Sequence, residues 1–147
     1  MFNSIEDVLD FAREKEQDAY DFYLELAGRM LDAGMKKLFS ELAKQEIRHR
    51  IVITEMRKGN VEIASHPKIK NLELEKALLT TEKSKSLAIE NAMLLALERE
   101  RGSHKLYSDL AQIVEDRELQ NIFKNLAADE LEHQTSIQGV YEKYLKG

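Results

Sequence analysis

Apolar residues recur every three to four positions along most of this chain, which is the spacing of one face of an α-helix. The pattern predicts four long helices, at about residues 4–31, 35–58, 84–114 and 117–145. Ser4 stands where the first helix begins, and its hydroxyl suits an N-cap because it can accept a hydrogen bond from a free backbone N–H. The chain is therefore predicted to be all-α.

The short stretches Asp32-Ala33-Gly34 and Glu115-Asp116-Arg117 predict tight turns, so that the helices form two hairpins. The segment between the hairpins, at about 59–83, has a mixed composition and contains the single proline of the chain, Pro67. Within it only residues 72–79 show a short helical pattern. We interpret this segment as a long crossover connection.

The two hairpins are an internal repeat, because their sequences align at one constant offset without a gap. The identical pairs include Glu14/Glu98, Glu16/Glu100, Tyr23/Tyr107, Leu26/Leu110, Ala27/Ala111, Phe39/Phe123, Leu42/Leu126, Ala43/Ala127, Glu46/Glu130, His49/His133 and Ile53/Ile137. Two copies of a helical hairpin joined by a long crossover predict a four-helix bundle with pseudo-two-fold symmetry. Residues 1–147 are then expected to form one domain, as the length suggests.

Six ionisable residues interrupt the apolar faces: Glu16, Glu46, His49, Glu100, Glu130 and His133. Each repeat contains a Glu-x-x-His pair, and residues three apart on a helix share a face. Buried carboxylates without compensation are costly, and four together also repel one another. These positions therefore indicate a bound cation.

The spacing from the turns places the three residues of each repeat at one level. Glu16 precedes Ala33 by nearly as many positions as Glu46 and His49 follow it. At a rise of about 1.5 Å per residue, all three stand roughly 20–25 Å from the turn. The second hairpin repeats these offsets, so six ligands are predicted to converge.

Four carboxylates would neutralise two divalent cations, and two imidazoles would complete the ligand set. One Glu from each of two helices and a Glu-x-x-His from each of the other two is the pattern of di-iron and di-manganese bundles. Oxygen and nitrogen ligands fit iron or manganese better than a closed structural zinc site. We therefore expect two divalent metal ions, either iron or manganese.

The chain resembles the rubrerythrin branch of the ferritin-like di-iron superfamily, without a rubredoxin domain. The resemblance covers nearly the whole chain, and its motifs are Glu16 followed by Tyr23, Glu46-x-x-His49, Glu100 followed by Tyr107, and Glu130-x-x-His133. It implies a ferritin-like four-helix bundle and a catalytic centre of two iron ions, for which manganese or zinc could substitute. Glu46 and Glu130 are implied to bridge the metals, and the terminal ligands are implied to be Glu16, His49, Glu100 and His133.

Three further residues are candidates for supporting the ligands. Tyr23 and Tyr107 lie two turns beyond the terminal Glu residues, and either hydrogen bond the ligands or are plain core aromatics. Asp129 is expected to orient His49 across the bundle.

One position departs from the family pattern. Rubrerythrins carry an additional Glu one turn after the terminal Glu of the third helix, and this place is Ser103 here. The family uses that carboxylate in its peroxide-reducing site. Its absence leaves a symmetric set of six ligands, closer to bacterioferritin.

Composition excludes several other functions. The chain has no cysteine, so thiolate nucleophiles, disulfides and zinc-thiolate sites are excluded. The net charge of −5 and the lack of a basic patch argue against nucleic acid. No apolar run is long enough to cross a bilayer, and the N-terminus does not resemble a signal peptide, so we expect a cytoplasmic protein.

Three functions remain open from the sequence. The first is a di-iron oxidoreductase acting on hydrogen peroxide or dioxygen, with an external electron donor such as a rubredoxin-like protein. The second is a ferritin-like ferroxidase or iron-handling protein, which requires a large hollow assembly. The third is a metal-binding scaffold or sensor without turnover. A homodimer is expected, and exchange of helices between two chains is compatible with the long crossover.

Overall fold

The computed structural model describes residues 4–59 and 89–146. They form four helices: α1 (Ile5–Arg29), α2 (Ala33–Arg57), α3 (Ile89–Ile113) and α4 (Arg117–Lys146). No strand occurs in these two ranges, which confirms the all-α prediction. None of the four helices is long and apolar enough to span a membrane.

Polar side chains cap the starts of three helices. The Ser4 hydroxyl accepts a hydrogen bond from the backbone N–H of Asp7 at 3.1 Å, as the sequence predicts. Asp32 accepts from the N–H of Met35 at 2.8 Å, and Asp116 accepts from the N–H of Leu119 at 3.0 Å. The two aspartates occupy equivalent positions of the internal repeat, so the repeat extends to the caps that begin α2 and α4.

The start of α2 differs from the prediction. The sequence pattern predicts a turn through residue 34, but α2 begins at Ala33 because Asp32 is its N-cap. Ala33 and Gly34 therefore belong to the first turn of the helix. The predicted crossover beyond Gly59, with its short helix at 72–79, and the predicted start of the third helix at 84 lie outside the described residues.

The chain divides into two compact units, Met1–Ser84 and Lys85–Gly147, and each contains one hairpin. Helix α1 packs along α2, and α3 packs along α4. A short connection joins each pair, so the two helices of a hairpin run antiparallel. The prediction of a single domain over residues 1–147 stays a prediction.

Each hairpin has a core of matched aromatic and aliphatic side chains. Tyr23 stacks on Phe39 with ring centroids 6.0 Å apart, and Tyr107 stacks on Phe123 at 6.4 Å. All four rings are almost completely buried. The same packing in both hairpins places the helices of each pair in the same register.

Contacts at both ends hold each hairpin together. Near the first turn, the Lys36 ammonium donates a hydrogen bond to the carbonyl of Ala27, and the equivalent residue of the second hairpin, Gln120, donates to the carbonyl of Val114. At the far end the Arg57 guanidinium pairs with Asp10 at 3.2 Å. The equivalent residue, Tyr141, donates to Glu90 at 3.4 Å. These contacts keep the middle turns of the two helices aligned, which is where the candidate ligands lie.

Candidate metal centre

The first hairpin brings together Glu16 from α1 with Glu46 and His49 from α2. The Nδ1 atom of His49 lies 2.8 Å from Oε2 of Glu16 and 3.4 Å from Oε1 of Glu46. One candidate ligand atom from each of the three residues lies within 4.8 Å of the others. The sequence predicts this grouping from the similar distances of the three residues to the turn.

The second hairpin repeats the arrangement with Glu100 from α3 and Glu130 and His133 from α4. The Nδ1 atom of His133 lies 3.3 Å from Oε2 of Glu100 and 3.5 Å from Oε1 of Glu130. These three residues also offer ligand atoms within 4.8 Å of one another. We call Glu16, Glu46 and His49 the first triad, and Glu100, Glu130 and His133 the second triad.

Both triads are closed to solvent, since none of the six residues is more than 3% exposed. Within residues 4–59 and 89–146, these six are also the only buried polar residues apart from the tyrosines Tyr23 and Tyr107, whose rings belong to the aromatic core. The rest of the buried set is apolar or aromatic. The polar chemistry of both hairpin cores is thus concentrated at the six positions that the sequence singles out.

Burial has a direct electrostatic effect on Glu100. Loss of solvation raises the pKa of its carboxyl group from an ordinary value of 4.5 to about 7. The hydrogen bond with His133 acts in the opposite direction, and the negative charge of Glu130 adds to the increase. The protein environment alone therefore favours the neutral form of this carboxyl group.

The chemistry of the triads fits a divalent cation. Each offers two carboxylates and an imidazole whose nitrogen faces them at 2.8–3.5 Å. A cation bound there would stabilise the ionised carboxylates that burial disfavours. The donors are oxygen and nitrogen without sulfur, which suits iron or manganese. Each hairpin thus contains a carboxylate–histidine group that could hold a metal.

The other candidates lie near the triads. Tyr23 and Tyr107 are buried and stack on Phe39 and Phe123. Their predicted hydrogen bonds to the ligands stay a prediction. Asp129 is half-buried on α4 beside Glu130. Its predicted contact with His49 would connect different hairpins and also stays a prediction.

His104 has a structural contact that the sequence does not predict. It lies one turn after Glu100, and its Nδ1 atom is 2.9 Å from the backbone carbonyl oxygen of Ala127. The contact joins α3 to α4 one turn closer to their connection than the second triad. The sequence does not identify this contact, because the acceptor is a backbone carbonyl group, which every residue has.

The Rubrerythrin family profile matches residues 7–143, which is nearly the whole chain. This chain belongs to the rubrerythrin family. Members of the family typically bind iron, and both triads have suitable ligands for it.

A solved structure supports the fold of this rubrerythrin family member. A hypothetical protein from Pyrococcus furiosus is similar with a TM-score of 0.75 and 20% sequence identity. The similarity covers 98% of this chain and 92% of the other. Together with the family match, this similarity confirms the predicted ferritin-like helical bundle. No curated protein sequence matches the chain.

Proposed function

We propose that this protein is a cytoplasmic di-iron oxidoreductase that reduces hydrogen peroxide or dioxygen with electrons from an external donor. The observation that supports the proposal is the repetition of a buried Glu, Glu and His triad in both hairpins. Membership of the rubrerythrin family supports iron as the metal. The same membership favours redox chemistry over a purely structural role.

In this proposal the two triads form one centre for two iron ions. The sequence places them at equal distances from their turns, and four carboxylates balance two divalent cations. Glu46 and Glu130 would bridge the metals. Glu16 with His49, and Glu100 with His133, would complete the ligand sets. Bound iron would supply redox capacity and Lewis acidity for reducing the oxidant.

The protein's own residues would prepare the site. In each triad the imidazole faces both carboxylates, so the donors are oriented before a metal binds. Near-complete burial excludes bulk water and strengthens the electrostatic interactions among them. The stacked Tyr23–Phe39 and Tyr107–Phe123 pairs lie two helical turns from the ligands and hold the two helices of each hairpin in register.

The residue at position 103 favours a second candidate function. A serine stands where rubrerythrins have an additional carboxylate, and this leaves a symmetric set of six ligands. Such a set also suits a ferroxidase, which oxidises iron with dioxygen. Iron storage would require a large hollow assembly, so a particle of 17.0 or 34 kDa (one or two chains) would exclude that function.

Stopped-flow absorbance tests the choice between these functions. The protein is loaded anaerobically with ferrous iron, freed of excess metal, and mixed with either hydrogen peroxide or air. Faster oxidation by peroxide, with repeated turnover when a reductant is added, supports the proposed oxidoreductase. Oxidation mainly by dioxygen supports the ferroxidase, and bound iron without a redox response would leave a scaffold or sensor.

Two matched variants make the kinetic result specific to the site. Glu100→Gln removes a carboxylate of the second triad, while Glu98→Gln changes an exposed carboxylate two residues away on the same helix. We expect fast oxidation to be lost in Glu100→Gln and kept in Glu98→Gln. Equal rates in both variants would contradict the proposed site.

A further inference from the structure

The second triad is closed to water, so a metal ion can reach it only when part of the protein moves. None of Glu100, Glu130 and His133 is more than 2% exposed. Local opening of a protein costs least where the backbone faces solvent and few side chains are buried. The route of entry is therefore expected at such a segment of the helices that carry the ligands.

Helix α3 has a segment of this kind directly after Glu100. Gly102 is exposed and Ser103 is half-buried. Both are weaker helix formers than alanine, and glycine is the weakest residue apart from proline. We call Gly102 and Ser103 the weak turn, because the helix is easier to open there than at a run of strong helix formers.

Packing within the chain does not require glycine at position 102. Gly102 lies inside α3, and the one positive φ angle among the described residues belongs to Gly59. A Cβ atom added to Gly102 would meet no heavy atom within 4 Å, so a larger residue also fits. The effect of this glycine is therefore on the backbone, since it increases the conformational freedom of the open chain.

The internal repeat shows that the weak turn is a property of α3 and not of the hairpin design. The equivalent residues of α1 are Asp18 and Ala19, and Ala19 is buried. Each is a stronger helix former than the residue that replaces it in α3. The first triad therefore has no comparable segment beside Glu16.

Buried side chains limit the extent of an opening on both sides of the weak turn. Leu97 precedes it and is 4% exposed. Tyr107 follows it, is buried, and stacks on Phe123 of α4. Glu100 lies between these two fixed points. The turn that carries this ligand can therefore open while α3 stays attached to α4 before and after it.

We propose that a metal ion enters the second triad through local opening of α3 at the weak turn, which exposes Glu100 to water. This inference rests on the proposed function, because it takes the second triad to be a metal site. Binding of the ion to Glu100, Glu130 and His133 then favours the closed helix, since a ligand stabilises the state that binds it. The weak turn is thus an entry route that closes once the ion is held.

Hydrogen exchange of the metal-free protein tests the opening itself. We expect the backbone amides beside Gly102 to exchange faster than the equivalent amides beside Asp18. Gly102→Ala should slow their exchange about fivefold, because the difference in helix propensity between glycine and alanine changes an opening equilibrium by about this factor. Gly139→Ala is the matched control and should leave this exchange unchanged. Gly139 also has open space around its Cβ position, but it lies on α4.

Stopped-flow mixing with Co²⁺ tests whether the opening admits a metal ion. The visible absorbance of this ion changes when oxygen and nitrogen ligands bind it, so the rate of entry is measured without turnover. Gly102→Ala should slow the binding of one of the two ions about fivefold, because the open helix is less populated. The other ion should bind at its usual rate. Gly139→Ala should bind both ions as the unaltered protein does.

Slower exchange beside Gly102 together with slower entry of one ion in Gly102→Ala supports the proposed route. Exchange beside Gly102 that is no faster than beside Asp18 overturns it, and so does a Co²⁺ binding rate that Gly102→Ala leaves unchanged. In those cases two ions bound per chain would leave the proposed function standing. An unaltered protein that binds no metal would overturn both.

Discussion

Burial changes the behaviour of the carboxyl group at position 100. The pKa of Glu100 is raised to about 7, chiefly because the side chain is removed from water. Glu98, two residues earlier on the same helix, is exposed. Identical chemical groups within about half a helical turn therefore experience different surroundings. This difference follows from the side of α3 on which each residue lies.

The raised pKa predicts the pH dependence of the metal-free protein. The carboxyl group of Glu100 binds its proton more tightly in the folded protein than in the unfolded chain. Protonation of this group therefore stabilises the folded protein fully below about pH 4.5. That effect is lost as pH rises through about 7. We therefore expect the free energy of unfolding of chelator-treated protein to fall across this range.

Denaturant titrations at several pH values measure this effect. Glu100→Gln should show a smaller fall in unfolding free energy between pH 4.5 and 7, because the titrating group is gone. Glu98→Gln should behave as the unaltered protein does. An unchanged pH profile in Glu100→Gln would show that Glu100 is not the group responsible.

The sequence is informative about these residues for a simple reason. Each of the six ionisable positions lies on an otherwise apolar helical face, so its burial is predictable from spacing alone. The contact of His104 with the Ala127 carbonyl is not predictable, because it depends on the separation of two helix backbones.

At the scale of the helix, local sequence predicts the existence of all four elements but not every boundary. Ser4 is recognisable as a cap because a helical pattern follows it directly. The predicted start of α2 is two residues late, because Asp32, Ala33 and Gly34 suit a turn as well as a helix start. The bond from Met35 N–H to Asp32 distinguishes the two cases.

The equivalent cap of α4 provides a prediction at this scale. Asp116→Ala removes the acceptor for the Leu119 N–H and a negative charge at the helix N-terminus. We expect it to lower the free energy of unfolding by about 1 kcal/mol. Asp116→Asn should retain most of the stability, since its side-chain oxygen can still accept the bond.

Urea titration of the chelator-treated protein checks this prediction. Asp109→Ala is a suitable control, because Asp109 is exposed and pairs with Lys105 on the helix surface. Such surface pairs contribute at most about 1 kcal/mol and often much less. A loss no larger for Asp116→Ala than for Asp109→Ala would mean that the cap does not stabilise α4.

At the scale of the whole molecule, the internal repeat makes the architecture predictable. The gapless alignment of the two halves indicates equivalent hairpins, and the stacking of Tyr23 on Phe39 is repeated by Tyr107 on Phe123. The contacts at the hairpin ends are not predictable in the same way, because Arg57 pairs with Asp10 whereas the equivalent residue Tyr141 donates to Glu90.

Metal removal should affect the stability of the entire protein. A metal that binds the folded chain and not the unfolded chain raises Tm in proportion to the logarithm of its concentration over Kd. We expect a chelator to lower the Tm of the iron-loaded protein, with less effect on Glu100→Gln. Differential scanning calorimetry measures this, and a Tm that does not respond to chelator would contradict tight binding in the triads.

The central claim is that the two triads together hold two iron ions, and metal content per chain tests it most directly. After anaerobic loading and removal of excess iron, we expect two irons per chain in the unaltered protein. His133→Ala should retain one or none, whereas His104→Ala should retain two. No iron in the unaltered protein, or two irons bound with full affinity by His133→Ala, would contradict the proposed ligand set.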